Sequence, residues 1–188
     1  MKWMSMWHYG KGLLWYKHRF AAWGIRTILV KPMQLDNPKK IVLGNRVMVA
    51  QGAWLMGSPD TETPSMLIGD GASVGHFFHC IAHHKVEIQQ DVLIADKVFI
   101  SDCTHRYEDI SVPIKNQDID LLNEVVIGEG TWIGENVCIL GARVGKHCVI
   151  GSNAVVTKDI PDYCVAVGAP ATVVKRYDTE TKKWNSVE

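Results

Sequence analysis

The sequence lacks several features that would place it in a functional class at once. Lysine plus arginine and aspartate plus glutamate each total 20 of its 188 residues, so no basic surplus points to nucleic acid or to an anionic membrane. The five cysteines are odd in number and include no CxxC pair, which fits reduced thiols better than a disulfide scaffold. We therefore expect a cytoplasmic protein of one domain, without a nucleic-acid partner.

A long apolar run is also missing near the N-terminus. Residues 1–32 are rich in aromatic side chains, but lysine, histidine and arginine interrupt them, so we expect neither a signal peptide nor a spanning helix. Residues 11–23 could form an amphipathic helix that caps the domain. Because tryptophan and tyrosine also suit a bilayer surface, peripheral membrane association through this segment stays open.

What the sequence does have is a six-residue rhythm. Aliphatic or cysteine side chains recur at this spacing in five sets of three, namely Leu43, Val49, Leu55; Ile68, Val74, Cys80; Ile88, Ile94, Ile100; Ile127, Ile133, Ile139; and Val144, Ile150, Val156. A period of six fits neither an α-helix nor a meander of hairpins. It fits a coil of very short parallel strands, in which three hexads close a triangular turn and turns stack about 4.8 Å apart.

This rhythm predicts an all-β fold, a parallel β-helix of hexapeptide repeats over residues 41–176. Residues 1–40 are expected to form an N-terminal helical or capping segment, and residues 177–188 a C-terminal tail.

Two breaks in the rhythm predict where a site lies. The step from Cys80 to Ile88 contains two extra residues, and a polar excursion over residues 106–124 interrupts the pattern just after His105. Counting hexads in threes places the bulged His83–His84 turn near the same corner as His105. An inserted loop, a bulge and a histidine at one corner indicate a functional site.

Two stretches carry a resemblance to a known family. Residues 127–176, IGEGTWIGENVCILGARVGKHCVIGSNAVVTKDIPDYCVAVGAPATVVKR, and residues 92–114, VLIADKVFISDCTHRYEDISVPI, are similar to hexapeptide-repeat acyltransferases. The sequence is most similar to the sugar and polysaccharide O-acetyltransferase branch, which includes galactoside and maltose acetyltransferases, and the match covers about residues 32–176. The resemblance implies a left-handed β-helix, acetyl-CoA as co-substrate, and a homotrimer with active sites between neighbouring subunits.

The resemblance also implies roles for individual residues. His105 corresponds to the general base that removes the proton from an acceptor hydroxyl, and a structural histidine is the alternative. Asp102 and Glu108 are candidates to orient its imidazole, with a solvated loop charge as the alternative for each. Trp132 corresponds to a residue that lines the acetyl-CoA tunnel near the thioester, with simple packing as the alternative.

The remaining cofactor residues are assigned in the same way. The resemblance puts Ser152, Thr157 and Lys158 along the pantetheine arm and near the nucleotide. It puts Lys175 where relatives use a cation against the 3′-phosphate, although a solvated surface lysine is the alternative.

The acceptor pocket is expected to include His79, His83 and Asp102. Galactoside-type relatives carry an aspartate where His83 stands, so the identity of the acceptor is open. The cluster of His76, His79, His83 and His84 also permits a metal reading, for which the γ-class carbonic anhydrases give a β-helical precedent. The positions of His79 and His105 in the six-residue repeat place them at different corners, and no spacing of metal-ligating residues recurs. We therefore expect no metal.

The sequence thus predicts an acetyl-CoA-dependent O-acetyltransferase that acts on a carbohydrate hydroxyl, in surface polysaccharide biosynthesis. N-acetylation of an amino-sugar nucleotide is the alternative within enzymes. A metal hydratase and a non-catalytic β-helical scaffold are the alternatives from other classes.

Overall fold

Short parallel strands build most of the computed structural model, which describes residue 10 and residues 12–187. Apart from a two-stranded hairpin, the described strands form three sheets, and each of the six complete coils contributes one strand to each sheet. Sheet A contains β1 (Ala22–Trp23), β4 (Ile41–Leu43), β7 (Met66–Ile68), β10 (Val86–Ile88), β15 (Val125–Ile127) and β18 (Arg143–Val144). Sheet C contains β3 (Gln34–Asp36), β6 (Trp54–Gly57), β9 (His79–Ala82), β12 (Phe99–Ser101), β17 (Cys138–Leu140) and β20 (Val155–Val156).

Sheet B is the longest and changes direction at its C-terminal end. Its parallel part contains β2 (Ile28–Leu29), β5 (Met48–Val49), β8 (Ser73–Val74), β11 (Leu93–Ile94), β16 (Trp132–Ile133), β19 (Val149–Ile150) and β21 (Cys164–Val167). Two antiparallel strands, β22 (Thr172–Asp178) and β23 (Lys183–Ser186), then complete it.

The hexad plugs lie in register inside this three-sided coil. In sheet A, for example, Leu43 pairs with Ile68, which pairs with Ile88. All fifteen plug residues are at most 2% exposed, so each coil stacks its aliphatic side chains on those of the coil below. The predicted period and phase are therefore confirmed.

The corners require a left-handed backbone at one position in many of the turns. Each coil turns sharply between strands, and several corner residues have a left-handed backbone, such as Gly130 at φ 65°, Asn136 at φ 57° and Asn153 at φ 62°. Glycine and asparagine adopt this conformation with the least strain. Gly130, Asn136 and Asn153 therefore suit their corners, whereas Arg46 at φ 55° and Lys97 at φ 57° adopt the same conformation at others.

The chain visits the sheets in the order A, B, C, so one edge of the prism joins sheet C to sheet A. We call this edge the C–A corner; it comprises residues 37–40, 58–65, 83–85, 102–124, 141–142 and 157–159. The excursion leaves the coil here. It forms an antiparallel hairpin of β13 (Cys103–His105) and β14 (Ile119–Leu121), with a 3₁₀ turn at Ile114–Asn116 between them.

Both ends of the coil differ from the sequence-based boundaries. Residues 22–36 already form a complete coil, because β1, β2 and β3 pair with the strands of the next coil. The boundary predicted at residue 40 is therefore corrected to about residue 22, and Pro38–Lys40 is a 3₁₀ turn within the C–A corner. The tail predicted over residues 177–188 is also corrected, because β22 and β23 form a hairpin on sheet B.

The helical structure before the first coil is shorter than the helix predicted over residues 11–23. It consists of a π-helical turn at Gly12–Tyr16 and a 3₁₀ turn at Lys17–Arg19. Residues 1–9, where part of the capping and membrane-contact prediction falls, lie outside the described residues. Within the described range no helix has the length and apolar character needed to cross a bilayer.

Candidate active site

His105 lies where the chain leaves the coil. It is the last residue of β13, it is exposed, and it pairs with Ile119 on the returning strand of the hairpin. The hairpin continues for one further backbone hydrogen bond, from Arg106 N to Asp118 O at 2.9 Å. The imidazole is thus carried by a paired strand at the C–A corner, which positions it more firmly than a free loop would.

The bulged turn of residues 83–85 lies directly beside this strand. Asp102 follows β12 and precedes β13, and its Oδ1 accepts a hydrogen bond from the His83 backbone N–H at 2.7 Å. The prediction that bulge and excursion meet at one corner is confirmed by this contact. His83 itself is half-buried at this corner.

The predicted carboxylate partners of His105 are engaged elsewhere. Asp102 is fully buried and both its oxygens accept backbone N–H groups of the bulged turn. Glu108 Oε2 accepts the backbone N–H of Tyr107 at 3.1 Å. The expectations that Asp102 is a solvated charge or contacts the acceptor are corrected, because its side chain has no exposed surface. The expectation that it orients the imidazole is corrected because both of its oxygens bond to the bulged turn and neither bonds to His105.

A groove connects the His105 strand to the next two coils. It encloses about 610 Å³ at the C–A corner and is lined by Thr104, Tyr107, Leu121, Leu122, Asn123, Leu140, Gly141 and Thr157. Thr104 is the neighbour of the candidate base, and Thr157 is one of the residues assigned to the cofactor. The structure therefore brings one predicted cofactor residue into the same groove as the base strand.

Two other predicted cofactor residues share a row on sheet B. Trp132 pairs with Val149, Val149 with Val165, and Val165 with Lys175. Trp132 is 48% exposed, and Lys175 is exposed as well. Three strand spacings separate them, which corresponds to about 14 Å. The row therefore offers an aromatic surface at one end and a cation at the other.

The last two cofactor candidates lie at different corners. Ser152 is exposed at the corner between sheets B and C, whereas Lys158 is exposed at the C–A corner beside Thr157. Sheet B is the side of the prism opposite the C–A corner. Within one chain, therefore, the structure does not bring Trp132 and Lys175 together with His105.

His79 is packed in an aromatic ladder on the outer side of sheet C. Its ring stacks on Trp54 with centroids 4.2 Å apart and lies 4.9 Å from the ring centroid of Phe99. Its Nε2 is buried without a hydrogen-bond partner among the described residues, and burial lowers the pKa of the imidazole. The neutral form is therefore favoured, and the expectation that His79 contacts the acceptor finds no support in this packing.

The histidine cluster considered for a metal is dispersed. His76 Nδ1 lies 3.2 Å from Asp96 at the corner between sheets B and C, whereas His84 Nε2 lies 3.5 Å from Glu124 at the C–A corner. Across residue 10 and residues 12–187, no three histidine, cysteine, aspartate or glutamate side chains converge as a possible ligand set.

Sequence reasoning missed the ionic contacts at the root of the excursion. Glu124 is the last residue of the excursion, and its Oε2 accepts a hydrogen bond from Arg143 Nη2 at 3.0 Å while Oε1 faces His84. Glu124 therefore joins three successive coils. The sequence did offer one indication of these contacts. Glu124 stands where the six-residue pattern resumes, and a charged residue at that point must face outward.

Comparison with known proteins agrees with this architecture. Residues 124–158 match the family model described as "Bacterial transferase hexapeptide (six repeats)". This segment carries the bacterial transferase hexapeptide repeat. The predicted left-handed parallel β-helix and the resemblance to hexapeptide-repeat acyltransferases are both confirmed.

Several proteins with similar sequences have been named as acetyltransferases. The chain is 46% identical over 112 residues to "Probable acetyltransferase Rv3034c" of Mycobacterium tuberculosis. The aligned region covers 59% of this chain and 37% of that protein. The chain is 38% identical over 126 residues to "Putative lipopolysaccharide biosynthesis O-acetyl transferase WbbJ" of Escherichia coli K12, which covers 63% of this chain and 64% of that protein. The chain thus spans about a third to two thirds of the length of these relatives.

A solved structure supports the fold. AntD is an N-acyltransferase from Bacillus cereus, and a variant of it that was solved in complex with dTDP and coenzyme A superposes with a TM-score of 0.72. The two chains are 15% identical, and the match covers 88% of each. Similarity at this level of identity establishes the shared β-helix.

Proposed function

We propose that this protein transfers an acetyl group from acetyl-CoA to a hydroxyl group of a carbohydrate. The observation that carries the proposal is His105, exposed on a paired strand at the C–A corner and next to a groove that reaches Thr157. A relative with 38% identity is named as an O-acetyl transferase of lipopolysaccharide biosynthesis, which supports a hydroxyl acceptor in surface polysaccharide biosynthesis. The reaction would take place in the cytoplasm.

His105 would act as the general base. Imidazole titrates near neutral pH, so it can take the hydroxyl proton while the hydroxyl oxygen attacks the thioester carbonyl carbon. The carbon–sulfur bond then breaks, and the same imidazole returns the proton to the leaving thiolate. The exposed position of His105 supports this role, because a bulky sugar can approach it from solvent.

The residues of sheet B and of the C–A corner would hold acetyl-CoA together. Trp132 would pack against the thioester end of the cofactor, and Lys175, about 14 Å along the same row, would meet a phosphate as a point charge. Thr157 and Lys158 would contact the cofactor at the C–A corner, and Ser152 at the corner between sheets B and C.

This division of the site supports a homotrimer. His105 lies at the C–A corner, whereas Trp132 and Lys175 lie on the opposite side of the prism, so one copy cannot assemble both groups around one acetyl-CoA molecule. A ring of copies would place the C–A corner of one subunit against sheet B of the next, and three copies would close it. Each complete site would then lie between two subunits.

The test is acetyl transfer by a His105→Asn variant. Asparagine keeps polarity but accepts no proton near neutral pH, so kcat and kcat/KM should both fall about 10²- to 10⁴-fold. The dissociation constant of acetyl-CoA, measured by calorimetry, should change less than twofold. His147→Asn is the matched control, since His147 is exposed at another corner with φ 49°, a conformation that asparagine tolerates.

Near-normal turnover by His105→Asn would show that the base is another residue, and His83 would then be the next to replace. The acceptor class is tested with the wild-type enzyme, by comparing sugars with free hydroxyl groups and amino-sugar nucleotides under the same conditions. Transfer to the amine alone would favour the N-acetyltransferase alternative. If the acceptor amine binds in its neutral form, its attack on the thioester depends less on a general base such as His105.

A further inference from the structure

The buried carboxylate of Asp102 is bonded unlike the other aspartates at the corners. Asp102 is 0% exposed, and a buried charge is strongly unfavourable unless hydrogen bonds satisfy it. Three consecutive backbone N–H groups do so: His83 N lies 2.7 Å from Oδ1, and His84 N and Lys85 N lie 2.7 Å and 2.6 Å from Oδ2. The bulged turn therefore forms a small anion-binding nest around one side chain.

Other corners use a weaker form of the same contact. Asp70 accepts the backbone N–H of Asn45 at 2.7 Å, and Asp96 accepts that of His76 at 2.7 Å. Both carboxylates are partly exposed, and each accepts a single backbone N–H group from the coil below. The threefold contact of Asp102 arises because the two extra residues of the bulge turn three N–H groups towards one point.

The main chain of Asp102 makes a further link. Its carbonyl oxygen accepts the backbone N–H of Leu122 at 2.8 Å, on the returning leg of the excursion. Asp102 also directly precedes β13, which carries His105. One residue thus joins the bulged turn, the root of the base strand and the return of the excursion.

We propose that Asp102 is a positioning residue that fixes His83 and His105 relative to each other in the acetyl-transfer site. The inference rests on the proposed function and assigns Asp102 no contact with substrate. Asp102 acts through the bulged turn, which carries His83, and through β13, which carries His105. Because a displacement of about 1 Å can cost about 100-fold in rate, loosening this junction should slow transfer without touching the reacting atoms.

Asp102→Asn tests the proposal with little change in shape. The amide has one acceptor oxygen, and its NH₂ group would face a backbone N–H, so at least one donor of the turn loses its partner. We expect kcat to fall about 10- to 100-fold, with the acetyl-CoA dissociation constant within about twofold of wild type. Hydrogen exchange should accelerate together at the amides of residues 83–85 and of residues 103–105.

Asp70→Asn is the matched control. It makes the same substitution at the same kind of contact, but at the corner between sheets A and B. It should leave both kcat and exchange at the C–A corner unchanged, even if both variants lower the melting temperature. A folded Asp102→Asn enzyme with kcat within twofold of wild type, or with faster exchange confined to residues 83–85, would overturn the proposal.

The two readouts separate this inference from the proposed function. If the wild-type protein transfers no acetyl group, the proposed function fails, while the exchange experiment still decides whether Asp102 couples the turn to β13. If Asp102→Asn does not fold, native-state exchange of the wild type provides the second test. The amides of residues 83–85 and of Leu122 should then open together, and independent opening would contradict the proposal.

Discussion

At the scale of single residues, the corner aspartates make stability depend on pH. The His76 backbone N–H is the main reason that the pKa of Asp96 lies below its usual value of 3.8, and the His76 side chain adds to the effect. A lower pKa in the folded state stabilises the fold fully above the unfolded-state pKa. This contribution is lost as the pH falls through the folded-state pKa.

We predict that Asp96→Asn makes stability less sensitive to acid. The free energy of unfolding in urea should be lower than that of wild type at about pH 6. This difference should shrink as the pH falls below the unfolded-state pKa towards the lower folded-state pKa, because the unfolded chain then binds a proton more readily than the folded protein does. Asp60→Asn, at an exposed position in the loop of residues 58–65, serves as the control. A constant difference between Asp96→Asn and wild type across this range would contradict the assignment.

The sequence predicted some residues of the site and not others, for a physical reason. His105 is a candidate because it stands where the rhythm breaks and because the resemblance assigns a base there, and the plugs were found because burial requires apolar side chains every six residues. The contacts of Asp102 could not be predicted, because they depend on how the extra residues at His83 and His84 fold back one coil below. An aspartate after a strand looks the same in the sequence whether it faces solvent or a nest of N–H groups.

At the scale of elements, the excursion presents an apolar tip to its surroundings. Ile110 is 100% exposed and Tyr107 is 65% exposed, while Tyr107 and Leu121 also line the groove beside the base strand. A loop that exposes such side chains contributes little to the core of its own chain. We infer that it covers the acceptor pocket and reaches the neighbouring subunit.

We predict that shortening the excursion abolishes transfer without unfolding the coil. Replacing residues 107–117 by Asn-Gly would join Arg106 to Asp118 in a tight hairpin, because this dipeptide suits a two-residue turn between antiparallel strands. Acetyl-CoA affinity by calorimetry should be largely retained, while acetylation of the sugar should fall below detection. Persistent transfer to the natural acceptor would show that the excursion is dispensable for catalysis.

The element boundaries show why the sequence analysis misplaced both ends of the coil. The first coil keeps the period through Trp23, Leu29 and Leu35, which pair with the plugs Leu43, Val49 and Leu55. The sequence analysis missed this coil because a tryptophan occupies its first plug position and because residues 11–23 were expected to be helical. The C-terminal hairpin departs from the period altogether, since antiparallel pairing at β22 needs no hexad.

At the scale of the whole molecule, the division of the site between opposite sides of the prism can be tested by mixing variants. Co-expressed His105→Ala and Trp132→Ala chains should regain activity that neither shows alone, because some sites combine an intact base with an intact neighbour. Random association predicts that about a quarter of the sites are intact.

The separately purified variants give the control for this experiment. The mixture could instead be no more active than the mean of the two separate variants. That result would mean either that His105 and Trp132 of the same chain share a site or that Trp132 takes no part in the site. Light scattering on the same samples should give the mass of a trimer. The assembly could not be inferred from the repeat, because periodicity describes the interior of one chain and says nothing of its partners; the expectation came from the resemblance alone.

The hairpin of β22 and β23 has a consequence for self-association. A stack of parallel strands presents free N–H and C=O groups at its last rung, and an identical stack could add there to grow a fibre. Here sheet B ends in antiparallel strands, with Lys183 and the other side chains of β23 exposed, so the last rung does not match the parallel edge of another coil. The reversal of direction after Val167 thus removes the free parallel edge of sheet B at this end of the stack, where another coil could otherwise add.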